Sequence, residues 1–203
     1  MEFSNATALD GEQLQDWFLR YTAAYRHERL RVAVRYSRGV DFSGTCYYRE
    51  GRIFVNLGRH VRYPYRLGTN IARARSNRSH WWRETYNLTV ASAYELALFV
   101  YLHELYHYLV KLAGRSPRQK ESRCDRFAAR VLVDKFGCAV TDSRGRAVER
   151  DSWDFQDLDS LVAKARRWPV HGVVGGRTRT HQVPVRIYGL AESPRRDGLL
   201  FDI

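Results

Sequence analysis

Apolar residues recur along the first part of the chain with two different spacings. Between residues 10 and 27 they fall three or four positions apart, which is the period of a helix with one buried face. Residues 31–38 then alternate apolar and basic side chains, and residues 45–49 and 52–57 flank a Glu-Gly turn as the strands of a hairpin do. The pattern predicts an α+β fold in which a small antiparallel sheet packs on helices.

This regular spacing is lost between residues 58 and 84. Here arginines alternate with tyrosines and with the pair Trp81 and Trp82, over a length that exceeds an ordinary connection. Long loops of this kind are often functional or mobile. We therefore expect residues 59–84 to form a basic, aromatic loop.

A helix is predicted after a short strand at residues 86–90. Ser92, followed by a glutamate three positions later, has the pattern of a capping box at the start of a helix. Gly114 is the residue type best suited to end it.

A second helix is expected to follow almost at once. Ser116 is a good N-cap, Pro117 suits the first helical position, Gln119 completes a second capping box, and Gly137 supplies the stop. Because only two residues would link the two helices, we expect them to lie antiparallel.

The pattern weakens after Gly137. One further helix is predicted at residues 153–167, followed by two short strands at 170–174 and 183–188. We therefore divide the chain into a domain of residues 1–137 and a C-terminal extension or subdomain, residues 138–203, of unassigned role.

Charge adds a class of partner to this picture. The chain of 203 residues has a formal net charge of +12, and all but four of its 34 basic residues are arginine. The arginine guanidinium is a planar fork suited to phosphate and carboxylate groups, so DNA, RNA or an acidic protein is a plausible partner. An excess of arginine that serves only solubility explains the charge equally well.

The three cysteines and the termini indicate a compartment. Cys46, Cys124 and Cys138 are odd in number and widely spaced, which argues against a disulfide framework. The N-terminus lacks the pattern of a secretory signal, and the most apolar segment is too short and too polar for a membrane span. We expect a cytoplasmic protein that does not associate with membranes.

The segment His103-Glu104-Leu105-Tyr106-His107 carries the strongest chemical signal. Histidines four positions apart lie on the same face of a helix, where both imidazoles can reach one metal ion at about 2.0–2.1 Å. Glu104 lies off that stripe, where it is placed to take a proton from a water and not to ligate. Two ordinary helix histidines are the alternative reading of the same spacing.

The second helix offers a third ligand. If the two helices are antiparallel, Glu121 comes level with His107, because their offsets from the link differ by only about 3 Å. Asp125 lies one turn later, where it can accept the free ring N–H of a ligating histidine. Cys124 could ligate instead, although its apolar neighbours favour a buried thiol with no metal. These residues predict one zinc ion bound by His103, His107 and Glu121.

These two segments resemble a known family. His103-Glu104-Leu105-Tyr106-His107, followed by the stretch from Glu121 to Ala129, is similar to the ImmA/IrrE group of zinc peptidases within the gluzincin clan, in which a helix with H-E-x-x-H precedes one with E-x-x-A-N-x-F-A. Cys124 and Asp125 replace the usual Ala and Asn. The resemblance covers roughly residues 10–137. It implies the same ligands, the same base and a peptidase activity.

The SprT-like proteases that cleave DNA–protein crosslinks are a weaker match. Their second helix commonly supplies a histidine ligand, and the second helix here contains none.

The expected reaction is hydrolysis of a peptide bond in a protein or peptide substrate. Glu104 takes a proton from a water activated by the metal, the water attacks the carbonyl, and Glu104 returns the proton to the leaving amine. Candidates for a second donor to the developing oxyanion are Tyr63, Tyr65, His60 and His80 in the long loop.

A second function fits the same sequence. The protein could instead bind nucleic acid and use its zinc site only structurally, with the arginines and aromatics of residues 59–83 gripping single-stranded DNA or RNA. Cation–π packing within the protein accounts for the same composition without any ligand.

Overall fold

A computed structural model describes residues 1–25, 27–118 and 120–167 of this protein. It confirms the α+β class: four α-helices pack with small sheets. The elements in chain order are β1 (Glu2–Asn5), α1 (Gly11–Arg20), β2 (Arg31–Tyr36), β3 (Phe42–Tyr47), β4 (Arg52–Leu57), β5 (Tyr65–Thr69), β6 (Arg75–Ser76), β7 (Trp81–Trp82), β8 (Tyr86–Val90), α2 (Ala93–Leu112), α3 (Glu121–Phe136), β9 (Val140–Thr141) and α4 (Leu158–Arg167).

The largest sheet has four strands in the order β1-β2-β4-β3. Strands β3 and β4 form the predicted antiparallel hairpin, but β2 pairs in parallel with both β1 and β4. The sheet is therefore mixed, and the prediction of an antiparallel sheet was wrong for it. The reason is topological: the chain leaves β2 for the outer edge, reverses through β3, and returns as β4 between them, running the same way as β2.

A second sheet lies within and beyond the segment expected to be a loop. Strands β5, β8 and β9 pair antiparallel in the order β5-β8-β9, and β6 and β7 form a separate two-stranded hairpin. The prediction of a continuous loop at residues 59–84 was thus wrong. Leu67 and Thr69 are buried on one side of β5, while Arg66 and Gly68, which alternate with them, are exposed. In a strand of five residues that buries only one apolar and one polar side chain, the alternation of apolar and polar residues is too weak to be recognised from the sequence.

Helix α2 forms the centre of the molecule. All fifteen residues from Leu96 to Val110 are buried, because the helix is surrounded by β3, β4, β8, α1, α3 and α4. Ser92 caps its N-terminus, with the Ser92 Oγ accepting from Glu95 N at 3.3 Å, and Gly114 follows its end at a φ of 75°. The predicted start and stop of this helix are confirmed. No helix in the described part of the chain is long and apolar enough to cross a membrane.

Helix α3 begins later than the sequence suggested. Its first residue is Glu121 and the residue before it, Lys120, makes no side-chain cap, so the predicted start at Ser116 was wrong. Pro117 is instead buried in the connection, where its carbonyl oxygen contacts His107 Nδ1. The capping role predicted for Gln119 falls outside the described residues. The predicted end is confirmed, with Gly137 at a φ of 67°.

Residues beyond Gly137 continue the same core as far as they are described. Strand β9 pairs with β8, Trp153 is buried, and Tyr106 of α2 donates a hydrogen bond to the carbonyl of Leu158 at 3.0 Å. Helix α4 occupies part of the predicted helix at 153–167. The strands predicted at 170–174 and 183–188 lie outside the described residues.

Candidate metal centre

The two histidines of α2 meet at the face of the helix that α3 covers. His103 and His107 are both buried, and their Nε2 atoms lie 3.1 Å apart. Their positions four residues apart on one helix place the two rings one above the other, with centroids 4.9 Å apart. The sequence motif therefore produces the convergent pair that it predicts.

Each ring holds a second partner through its other nitrogen. His103 Nδ1 lies 2.7 Å from Asp125 Oδ1, and His107 Nδ1 lies 3.2 Å from the Pro117 carbonyl oxygen. Carboxylate and carbonyl oxygens accept hydrogen bonds, so both Nδ1 atoms carry the proton. In neutral rings the two Nε2 atoms are then both acceptors. Two acceptors at hydrogen-bond distance repel each other unless a proton or a cation lies between them.

Glu121 adds a carboxylate to the same point. Its Oε2 lies 3.2 Å from His103 Nε2 and its Oε1 lies 3.4 Å from His107 Nε2. Burial by itself would raise the pKa of Glu121, but the contacts with both imidazoles outweigh it and lower the pKa to about 2. The side chain remains 39% exposed, so this corner of the cluster is open to solvent.

Cys124 lies against the same pair of rings from the next turn of α3. Its Sγ and one nitrogen from each of His103 and His107 all lie within 4.8 Å of one another, and all three residues are buried. This buried His–His–Cys group could hold a metal ion. Burial raises the pKa of the Cys124 thiol well above its ordinary range, and the negative charges of Glu121 and Asp125 raise it further.

Asp125 connects the cluster to the loop after β5. While its Oδ1 accepts from His103, its Oδ2 accepts from Asn70 through the backbone N–H at 2.7 Å and the side-chain amide at 3.2 Å. The Asn70 carbonyl in turn accepts from Arg83 at 3.1 Å. Fixing both carboxylate oxygens fixes the orientation of the His103 ring.

Glu104 lies next to His103 but points to β3. It is fully buried, and neither of its carboxylate oxygens has a hydrogen-bond partner in the described part of the chain. A Cβ built on Gly44 of β3 would lie 2.7 Å from Glu104 Cγ and 2.8 Å from Glu104 Cδ, so the strand backbone runs directly against this side chain. A buried carboxyl without partners is costly and marks a group kept for another purpose.

The charges of this cluster are strongly coupled. Burial raises the pKa of Glu104 to about 8, against the lowering effect of His103. Burial lowers the pKa of His103, but hydrogen bonds to Asp125 and Glu121 reverse the direction and raise it to about 10. Burial lowers the pKa of His107. The directions differ because two carboxylates, Asp125 and Glu121, contact His103, whereas for His107 burial and the charge of His103 outweigh the contact with Glu121.

The four residues predicted to stabilise an oxyanion lie in other surroundings. Tyr65 donates to Asp41 at 3.0 Å, Tyr63 is half-buried near the same carboxylate, and His60 and His80 are exposed. Within the described ranges, none of the four makes a hydrogen bond to the histidine cluster. Their proposed role stays a prediction.

Three residues at or near the site were absent from the sequence-based prediction. Asn70 holds Asp125, Gly44 makes room for Glu104, and the buried Tyr48 hydroxyl has no hydrogen-bond partner among the described residues. The charges that raise the pKa of Tyr48 include those of Glu104 and Glu121, although burial is the larger cause. Only Gly44 carried a signal, because a glycine inside an alternating strand often marks a close approach.

No family profile, no curated protein and no solved structure matches this chain. The resemblance of residues 103–107 and 121–129 to the ImmA/IrrE peptidases therefore stays a prediction from the sequence.

Proposed function

We propose that this protein is a zinc-dependent endopeptidase whose metal is bound by His103, His107 and Glu121. The observation that carries the proposal is the convergence of two imidazole Nε2 atoms and one carboxylate, 3.1–3.4 Å apart, on a single point. When both rings are neutral, all three groups are acceptors that face one point, and such an arrangement is stabilised by a cation.

Two sets of three side chains are available, and we favour the one with Glu121. Its two oxygens each approach one of the facing Nε2 atoms, and its low pKa keeps it ionised. The Cys124 thiol must lose a proton to ligate, and its raised pKa opposes that. Two histidines and a glutamate also leave a position open for water, as a catalytic zinc requires.

The residues around the cluster suit hydrolysis. A zinc ion bound there would supply a Lewis acid that lowers the pKa of a water molecule and draws charge from a carbonyl oxygen. Glu104 would accept the proton of the attacking water and deliver it to the amine nitrogen that leaves. Its carboxylate suits this role because it has no hydrogen-bond partner among the described residues and because burial brings its pKa to about 8, near neutrality.

Asp125 would act through His103 and not on the substrate. By accepting the Nδ1 proton it holds the ring in the tautomer whose Nε2 lone pair faces the cluster. Asn70 holds Asp125 in turn. The sequence resemblance to the ImmA/IrrE peptidases supports the same distribution of roles.

Metal analysis together with hydrolysis of a fluorescence-quenched peptide library tests this proposal. We expect about one zinc per wild-type chain, reduced occupancy in Glu121→Ala, and full occupancy without hydrolysis in Glu104→Gln. Glu95→Gln is the matched control, because Glu95 lies on the same helix and its side chain accepts from the Ala91 N–H and the Cys138 thiol, and not from the histidine cluster.

Two results would contradict the proposal in different ways. Full zinc occupancy in His103→Ala would show that the assignment of the three ligands is wrong. Full zinc occupancy in the wild type without any hydrolysis would leave a metal site that is structural, as in the alternative reading of the sequence.

A further inference from the structure

The hairpin of β6 and β7 is a preformed projection on the protein. Arg75 pairs with Trp82 and Ser76 pairs with Trp81 across the two strands. The turn between them is closed by Asn77, whose Oδ1 accepts from the backbone N–H groups of residues 79 and 80 at 3.0 and 2.7 Å. Such an Asx turn defines the loop without help from the core.

This hairpin exposes two indoles. Trp81 is 73% exposed and Trp82 is 44% exposed, and Leu19 is the sole other large apolar side chain in the described ranges that is classed as exposed. The sequence left open whether these tryptophans pack on the core, and the structure shows that they do not. Each indole therefore offers an apolar face to solvent that a planar ligand could cover.

The charge around the indoles is positive. Residues 73–84 contain four arginines and one acid, Glu84. Arg75 pairs with Glu84 at 3.3 Å, while Arg78 in the turn has no ion-pair partner within the described part of the chain. Successive strand residues point to opposite faces, so Trp82 shares a face with Arg75 and Trp81 lies on the other.

We propose that residues 73–84 bind single-stranded nucleic acid, with bases stacked on Trp81 and Trp82 and phosphates held by Arg75 and Arg78. An indole accepts the face of any base, and arginine complements the phosphate charge. Single strands fit this surface because their bases are free to leave one another and lie on an indole, whereas the bases of a duplex are already stacked. This inference does not depend on peptidase activity.

A second basic surface provides the internal control. Arg35 and Arg38 line a cavity of about 550 Å³ on the face of the four-stranded sheet that points away from α2. Arg38, like Arg78, lies in an exposed turn after a strand and makes no described ion pair. Arg38→Gln and Arg78→Gln therefore remove the same charge from equivalent settings.

The test is fluorescence anisotropy of a labelled 20-nucleotide oligo(dT) titrated with the full chain over a series of salt concentrations. We expect the variant with both Trp81→Ala and Trp82→Ala to bind at least about 10-fold more weakly, since each stacked base contributes roughly 5- to 100-fold. Arg78→Gln should lower the slope of log affinity against log salt by about 0.7, while Arg38→Gln leaves it unchanged.

Unchanged thermal unfolding of the variants shows that they fold. No binding of the wild type at low salt would overturn the proposal, and so would unchanged affinity in the double tryptophan variant. A loss of oligo(dT) affinity in Arg38→Gln but not in Arg78→Gln would show that the binding surface lies on the four-stranded sheet and not on the hairpin. Binding to phosphatidylserine vesicles without binding to oligo(dT) would assign the hairpin to membranes. Repeating the titration with Glu104→Gln, the variant expected to lose hydrolysis, tests nucleic-acid binding independently of peptidase activity.

Discussion

Gly44→Ala tests the placement of Glu104 without touching a metal ligand. The added methyl carbon would lie 2.7–2.8 Å from two carbon atoms of the Glu104 side chain, closer than such atoms can approach. Gly44 is not among the glycines with positive φ, so alanine suits its backbone and the clash is the whole perturbation. The carboxylate must therefore move, or β3 must shift away from α2.

The size of the effect follows from this overlap. Forcing a methyl group into a packed core costs about 1–3 kcal/mol, which for a chain of this size lowers Tm by roughly 2–12 °C. A catalytic group displaced by about 1 Å loses on the order of 100-fold in rate. Zinc content should stay unchanged, because the described hydrogen bonds of the three proposed ligands go to one another, to Asp125 and to Pro117, and none goes to β3.

The matched control is Gly68→Ala on β5. A methyl group there would meet Thr85 Cγ2 at 3.4 Å and Asn87 Oδ1 at 4.0 Å, which are ordinary contacts. Its effect on stability should stay within about 0.5 kcal/mol. Thermal unfolding and peptide hydrolysis of both variants give the comparison.

A double-mutant cycle identifies the cause. Glu104→Ala removes the atoms that the methyl would meet, so it should restore most of the stability lost in Gly44→Ala. Equal stability and equal hydrolysis in Gly44→Ala and Gly68→Ala would refute the reasoning. Additive losses in the double variant would show that the strand backbone, and not Glu104, resists the methyl.

Three further predictions concern protons and the choice of ligand. Glu104 has its pKa raised from 4.5 to about 8 in the folded protein. Its contribution to the stability of the metal-free protein is therefore full below pH 4.5 and is lost as pH rises through 8. Urea unfolding should show this decline in the wild type and a smaller one in Glu104→Gln. Because hydrogen bonds to carboxylates raise the pKa of His103 to about 10, zinc must displace its proton at pH 7; calorimetry in buffers of different ionisation enthalpy should detect release of about one proton, and no buffer dependence would contradict the ligand role of His103. Cobalt substitution should give no thiolate charge-transfer band, whereas a band that Cys124→Ser removes and Cys46→Ser retains would place Cys124 in the ligand set.

The sequence was most informative where the relevant contacts are local. The start and end of α2, the shared face of His103 and His107, and the separation of Glu104 from that face all follow from one helical period. Glu121 was identified correctly as a neighbour of both histidines, although the start assumed for its helix was wrong by four residues. Glu121 lies near the rings because α3 still runs beside α2. The residue is in the first turn of α3, however, and not five residues into the helix as the sequence suggested.

Contacts between distant parts of the chain could not be predicted. Strand β1 has only four residues and is stabilised by parallel pairing with the edge of β2. No local sequence pattern predicts this pairing. Asn70 reaches Asp125 across 55 positions, mainly through its backbone N–H, which every residue except proline possesses. Pro117, in the connection between α2 and α3, contacts His107 through its carbonyl oxygen. Every residue has this group, so the sequence does not predict the contact.

The Asp125 carboxylate has a consequence for communication across the molecule. One of its oxygens holds a histidine of the metal centre, and the other holds Asn70, whose own carbonyl is held by Arg83 next to Trp82. The hairpin and the candidate metal centre are thus joined by a continuous chain of hydrogen bonds. Because linkage is reciprocal, any change in metal affinity caused by an occupant that shifts Arg83 is matched by an equal change in the affinity for that occupant when metal binds.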